Sequence, residues 1–422
     1  MKVEKRDGRI VEFDKSKIEN ALKKSGVISE KDLSRLLCII GVKLGDRDVV
    51  TVSNIQKEVE TTLMQEGYYD IARDYISYRY LHDIAREKYA KLTETIKEKI
   101  FASNVENSNA NMDEKSFGGR KGEMANAILK EFALNNCMSK MARDNHINNE
   151  IYQHDLDSYA LGLQNCLSIP IDKLFKNGFT TRQVDIRPAQ SINTAFQLLA
   201  VIFQVQSLSQ FGGVSVTHLD WSMVPYVRKS FYKHYKTGKK YLCGEDFNLD
   251  NVENVSILGR VYKKDKKVYK YAYNMTIKEL NQAVEGMYHN LNSLQSRSGN
   301  QLPFSSVNYG TCTLEEGRLV IKSLLEASIN GVGRLHKTSV FPCGIFQCMK
   351  GVNRKEGDPN YDLFKLALKS TAKRLYPNYC NVDWSVNEGY DRSDPSTYNS
   401  TMGKCKCSPC KTLLTMLNGC VA

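Results

Sequence analysis

From about residue 123 to residue 403 the chain repeats one pattern: long stretches with apolar residues at helical spacing, separated by apolar or β-branched runs of a few residues. The helical stretches are Met124 to Asn145, Ser191 to Phe211, Ile277 to Leu294, Gly317 to Ile329 and Tyr361 to Tyr376; Ser305-Ser306-Val307-Asn308-Tyr309 is typical of the short runs. Helices alternating with short buried strands predict an α/β body. At 422 residues the chain exceeds what one core usually fills, so more than one domain is expected.

The first ninety residues read as a separate unit. Val3 to Phe13 alternates around an Asp7-Gly8 turn, the short-range signal of a β-hairpin. Asp14 stands where a helix N-cap belongs, and Ile18, Ala21 and Leu22 give the first helix its apolar stripe. Ser53 is the expected cap of a second helix with Ile55, Val59 and Leu63 inward, and Tyr68 to Tyr89 reads as a third. This hairpin plus helical bundle, with Lys5-Arg6-Asp7-Gly8-Arg9 at its start and Tyr75-Ile76-Ser77-Tyr78-Arg79 near its end, resembles the ATP-cone domain. The resemblance implies that ATP or dATP binds here as an allosteric effector of an attached enzyme, with Lys5, Arg6, Asp14 and Lys17 as the nucleotide-binding positions. Two adjacent cations on a hairpin and a lysine near a helix start suit that task, because a helix N-terminus adds partial positive charge for phosphate.

The charge balance, 59 Lys+Arg against 47 Asp+Glu, leaves +12, partly in local runs such as Arg260 to Lys267 and Tyr235 to Lys240. These read as solvated hairpin or loop faces, and no direct nucleic-acid binding is expected. No apolar run reaches about eighteen residues, and Met1 to Arg6 opens into a strand pattern rather than a signal peptide, so a cytoplasmic protein without a membrane segment is expected. The cysteines before the tail are scattered, which predicts reduced thiols. Ser103 to Asn111 is polar without an apolar face, so residues 91–122 read as a linker.

Several stretches of the body, taken in order, resemble the anaerobic, glycyl-radical (class III) ribonucleoside-triphosphate reductases: Asn149 to Asp157, Ser296 to Phe304, Gly357 to Asp362 and Ala372 to Pro377. A cone joined to such a body is that family's layout. The implied fold is an α/β one, an N-terminal ATP cone (residues 1–90) followed by the front part of a ten-stranded α/β barrel (residues 123–403), with a finger loop threading the barrel. On that loop a cysteine thiyl radical abstracts the ribose 3′ hydrogen, while a second cysteine on a barrel strand donates hydrogen as the 2′ hydroxyl leaves as water. Cys166, in Gly162-Leu163-Gln164-Asn165-Cys166-Leu167-Ser168, matches the second cysteine. Asn300 and Gln301 are candidates for the substrate pocket, a turn role for Gly299-Asn300 being equally open. The resemblance further implies ribonucleoside triphosphates as substrates, formate as reductant, a radical-generating iron–sulfur activase as partner and a homodimer.

The finger-loop motif is where the sequence departs. The family reads Met-Gly-Cys-Arg, whereas this chain reads Met402-Gly403-Lys404-Cys405-Lys406-Cys407, placing Cys405 one position late. One residue moves a sulfur by about 3.5 Å, enough to spoil a near-attack geometry. Residues 404–422 are expected to be an aberrant cysteine-rich tail, with the glycyl-radical loop and the zinc site confined to the absent C-terminal part of the family pattern. The spacing of Cys405, Cys407, Cys410 and Cys420 is not a common zinc pattern, and an interrupted reading frame after Gly403 is the alternative; no metal site is expected in this chain. The chain therefore reads as the N-terminal portion of such a reductase, inactive alone. Its rivals are a non-catalytic nucleotide-binding regulator and a fragment that complements a second polypeptide.

Overall fold

The computed structural model describes the chain except Asp7, Val27, Asp46, Arg182, Phe211, Asn399 and residues 102–115, 162–165, 260–263, 297–299, 384–390, 403–404 and 408–422. For 86–89, 91, 95, 98–101, 400–402 and 405–407 it describes the backbone alone. Two compact units divide after Phe101.

In the first unit, β1 (Lys2–Glu4) pairs antiparallel with β2 (Ile10–Glu12) and parallel with β3 (Val49–Thr51). Gly8 turns the hairpin at φ 81°, a left-handed conformation that favours glycine. Four helices complete the unit, α1 (Lys15–Ser25) and α2 (Glu30–Leu44) before β3 and α3 (Val52–Gln65) and α4 (Tyr69–Phe101) after it. Their apolar stripes meet in one core in which Leu22, Leu44, Val59 and Leu63 are fully buried. Asp14 caps α1 by accepting from the Ser16 amide at 3.0 Å. Thr51, not Ser53, caps α3, accepting from the Asn54 amide at 3.2 Å; Ser53 lies inside the first turn. Helix α2 was not among the expected helices, and α4 runs on through Phe101 into the segment expected as a linker. The polar stretch Ser103 to Asn111 lies outside the described residues.

The second unit opens with α5 (Phe117–Phe132), a π-turn at Ala133–Cys137, α6 (Lys140–Ile147) and α7 (Leu156–Tyr159). The glycine-rich Phe117 to Gly122 is thus the start of a helix capped by Ser116, which accepts from the Gly119 amide. Next come β4 (Leu167–Ser168), α8 (Ile171–Asn177), a small hairpin of β5 (Phe179–Thr180) and β6 (Asp185–Ile186), α9 (Ile192–Ser207), β7 (Val214–Val216), α10 (Leu219–Ser222) and α11 (Val224–Gly238). The order continues with α12 (Lys266–Ser293), β8 (Ser305–Tyr309), α13 (Glu315–Asn330), β9 (Cys343–Cys348), α14 (Tyr361–Arg374) and β10 (Asn378–Asn381). A last pair, β11 (Ser400–Met402) and β12 (Cys405–Cys407), is antiparallel.

Five of these strands form one parallel sheet in the order β10-β9-β8-β7-β4. Parallel neighbours need crossover connections, and helices supply them, burying one face of the sheet. Leu199 and Phe203 of α9, Val284 and Leu291 of α12, and Val320 and Leu324 of α13 pack there against Val214, Val216, Val307 and Phe346. Of the two basic runs, Tyr235 to Gly238 ends α11 and Lys266 and Lys267 begin α12, while Arg260 to Lys263 lie outside the described residues. No described helix is long and apolar enough to cross a membrane.

The Asp14 cap carries a pH signature. The Ser16 hydroxyl at 2.6 Å and the Ser16 amide hold its carboxyl below the ordinary carboxylate range. Such a depressed group stabilises the fold above its unfolded value, about pH 4, and loses that contribution as pH falls through the lowered folded value. Asn caps as well as Asp. Asp14→Asn should therefore leave thermal melting of residues 1–101 nearly unchanged at neutral pH and weaken its decline on acidification, as followed by far-ultraviolet circular dichroism.

Candidate functional site

The face of the parallel sheet turned away from those helices is polar and still buried. Register places Ser168 opposite Ser215, and Ser215 opposite Ser306, so three hydroxyl-bearing residues form a row across β4, β7 and β8. All three are almost wholly buried. Cys166 stands immediately before β4, half-buried, and extending the strand's alternation by one residue puts it on the same side as Ser168. Two residues further along the neighbouring strands lie Thr217 and Asn308, and the Asn308 amide donates to Ser215 Oγ at 3.1 Å and to the Val216 carbonyl at 2.9 Å. Gln347 of β9 donates to the Thr217 carbonyl at 3.0 Å. Ser306 Oγ and Gln347 Oε1 are buried without a hydrogen-bond partner among the described residues. Buried polar atoms in native proteins are rarely left so; Ser305 Oγ on the helix-packed side shares that state, so what suits this face to polar groups is its row of hydroxyls and amides rather than the orphaned atoms alone.

The far ends of these strands are fixed by a second polar cluster. Asp220, fully buried in α10, accepts at Oδ2 from the Gly310 and Cys312 amides, each at 2.9 Å. Burial holds its carboxyl above the ordinary range, although the two amides pull the other way. Asn353 and Asn360, both fully buried, donate to the Gly310 carbonyl at 2.9 and 3.1 Å. Burial likewise pushes up the Cys312 thiol, and Cys343 with it, which leaves both as core sulfurs.

The backbone of β11 comes within contact distance of β7 and β8, and Cys405 of β12 pairs with Met402 of β11. The segment bearing the displaced cysteine is therefore brought to the strands that carry Ser215 and Ser306. The Cys405 side chain, and Cys410 and Cys420 altogether, lie outside the described residues.

Asn300 is turned elsewhere. At φ 56° it donates from Nδ2 to Ser116 Oγ at 3.1 Å. A Cβ at Gly118 would come within 2.3 Å of its side chain, so the glycine lets α5 close on this amide. Gln301 follows, half-buried, and Arg297 to Gly299 of the same motif are outside the described residues.

In the first unit the four nucleotide-binding candidates separate into two groups. Arg6 donates to the Asp83 carboxylate of α4 and to the side-chain amide oxygen Oε1 of Gln56 in α3, the latter at 2.9 Å. Lys17 stands 3.8 Å from Asp14 at the start of α1. Lys5 is half-buried, its amide bonded to the Arg9 carbonyl at 2.8 Å across the hairpin. Gln56, Asp83 and the serine row were not among the candidates. Asp83 lies one helical turn beyond Arg79 of the cone motif, while the serines become a row only through strand register.

The family model for the anaerobic ribonucleoside-triphosphate reductase matches residues 108–413, and the model for the ATP cone domain matches residues 1–84. The anaerobic ribonucleoside-triphosphate reductase of Haemophilus influenzae is 33% identical over 392 residues, covering 90% of this chain and 52% of that protein. The Escherichia coli protein of the same name is 31% identical over 408 residues, 95% of this chain and 54% of its own length. The chain thus spans about half the length of the curated relatives it matches. Among solved structures, the anaerobic ribonucleotide reductase from Thermotoga maritima in complex with dATP and CTP aligns at 13% identity with a TM-score of 0.42, covering 64% of this chain and 43% of that one.

The Asp220 cluster gives a stability prediction. Asp220→Ala leaves two buried amides unpaired, and each such donor costs about 1–3 kcal/mol, so a loss of about 3 kcal/mol is expected. Asp220→Asn, which keeps an acceptor, should lose less. Urea unfolding followed by tryptophan fluorescence, to which Trp221 contributes beside the cluster, measures both.

Proposed function

Because the chain belongs to the anaerobic ribonucleoside-triphosphate reductase family, we propose that it carries the regulatory cone and the reductive-thiol face of an enzyme converting ribonucleoside triphosphates to deoxyribonucleotides. The observation that carries this reading is that Cys166 immediately precedes β4, whose Ser168 lies in register with Ser215 and Ser306. Cys166 is the hydrogen donor to the ribose as the 2′ hydroxyl leaves as water; a thiol suits this because its S–H bond yields a hydrogen atom readily. The buried hydroxyl row and the unpartnered Ser306 Oγ and Gln347 Oε1 offer hydrogen bonds that orient a ribose over that sulfur.

The rest of the assignment follows from the family. ATP and dATP act as effectors at the cone, through Lys5, Arg6, Asp14 and Lys17. Formate is the reductant, the glycyl radical supplies the hydrogen-abstracting chemistry, and both the radical's loop and the zinc site lie in the part of the relatives that this chain does not span. An iron–sulfur activase and a homodimeric assembly are the partners, and the cytoplasm is the site of action. Domain limits of 1–90 for the cone and 123–403 for the barrel portion fit this division of labour, with residues 404–422 as a tail outside both.

Two measurements check the reading. Arg6→Ala should weaken ATP binding to the chain by about 1.5–3 kcal/mol, the size of a charge-assisted contact to phosphate, in calorimetric titration. Reconstitution with a polypeptide supplying the relatives' remaining half, plus activase and formate, should give turnover that Cys166→Ser abolishes. Turnover surviving that substitution would move the reductive role to another cysteine.

A further inference from the structure

Arg6 is not idle without nucleotide. Asp83 of α4 takes both guanidinium ends, Nη1 in the shorter contact and Nη2 at 3.3 Å, while Gln56 Oε1 of α3 accepts from Nη2 at 2.9 Å. A carboxylate gripped by two parallel N–H groups uses the same fork with which arginine grips phosphate. The two anions therefore compete for one set of donors. Both side chains are 39% exposed, so a soluble polyphosphate can reach the guanidinium and displace its partner without unpacking the core.

We propose that Asp83 is a built-in competitor for the nucleotide's phosphate at Arg6, and that Gln56 is the positioning residue that keeps the guanidinium aimed while the anions exchange. This rests on the reading of Arg6 as a phosphate ligand. It has a structural consequence beyond affinity. Asp83 belongs to α4, the helix from which the chain leaves the first unit. One turn before it, Arg79 ties α4 to Glu60 of α3 at 2.5 Å, with side chains only 31% and 17% exposed. Nucleotide binding thus exchanges the Asp83 contact of Arg6 for a phosphate contact, one turn beyond the Arg79–Glu60 ion pair on the same helix.

The test is calorimetric titration of ATP and of dATP into the full chain at low salt, for the wild type and for Asp83→Asn, Gln56→Ala, Arg6→Ala and Asp70→Asn. Asp70 is a charge control: it lies on the same helix, pairs at 3.4 Å with Arg73, and its side chain is 88% exposed. Asp83→Asn should bind about two- to fivefold more tightly, the worth of one exposed ion pair, and the gain should shrink as salt is raised. Gln56→Ala should bind more weakly than the wild type, and Asp70→Asn should match it. Opposite signs at the two partners of one arginine are not what general loosening of the cone would give. Unchanged or weaker binding by Asp83→Asn, or an equal gain from Asp70→Asn, overturns the competitor while Arg6→Ala still weakens binding. Arg6→Ala binding as tightly as wild type instead overturns the site reading, and the competitor with it.

Discussion

One carboxylate sealed from water fixes the loop that follows the central strand of the sheet. Asp220 receives the Gly310 and Cys312 amides, Asn353 and Asn360 hold the Gly310 carbonyl from the other side, and Asn360 also reaches the Cys312 carbonyl at 2.9 Å. Burying that charge is costly, as its raised pKa records, and the backbone donors offset the cost only while the loop keeps its shape. The arrangement is therefore self-consistent in one geometry. β7 through Asp220, β8 through its following loop and β9 through Asn353 are locked at their ends, so the register that aligns Ser215 with Ser306 is held from outside the strands themselves.

With register fixed, the two faces divide their work. Helices α9, α12 and α13 bury one face with aliphatic side chains, the usual source of stability in a parallel sheet. The other face carries hydroxyls, amides and the half-buried Cys166 at its margin. A face of that composition adds little apolar burial, and its unpartnered Ser306 and Gln347 atoms cost stability. Retaining it is understandable if a polar ligand completes its hydrogen bonds, which is the physical ground for placing the chemistry there.

Much of this was legible in the sequence. The hairpin at Gly8, the Asp14 cap, the α/β alternation and the buried run Ser305 to Tyr309 all follow from local spacing, and α12, α13 and α14 begin or end within a few residues of the expected limits except at the start of α12. Helix α2 is equally legible, with Leu33, Leu36, Leu37, Ile40 and Leu44 at helical spacing behind a Ser29 cap, though it was absent from the expected helices. What local pattern does not carry is pairing across distance. Asp220 meets a loop ninety residues away and Asp83 meets Arg6 across seventy-seven, and neither partner leaves a mark beside the other in the chain. Tyr235 to Lys240 misleads for another reason: Lys236 and Lys240 are exposed as expected, but Tyr235 is buried and Lys239, its side chain only 13% exposed, is held by Glu245 and Asp265.

The central claim is that the Cys166 margin of the polar face is where substrate lies. It is tested most directly by thiol alkylation mapped by mass spectrometry in the reconstituted enzyme, with and without ribonucleoside triphosphate. Cys137 and Cys243, both exposed and outside the strands of this sheet, serve as internal references. The account predicts that nucleotide slows labelling of Cys166 and leaves the references unchanged. Equal labelling of Cys166 with and without nucleotide, under conditions where turnover proceeds, would contradict it.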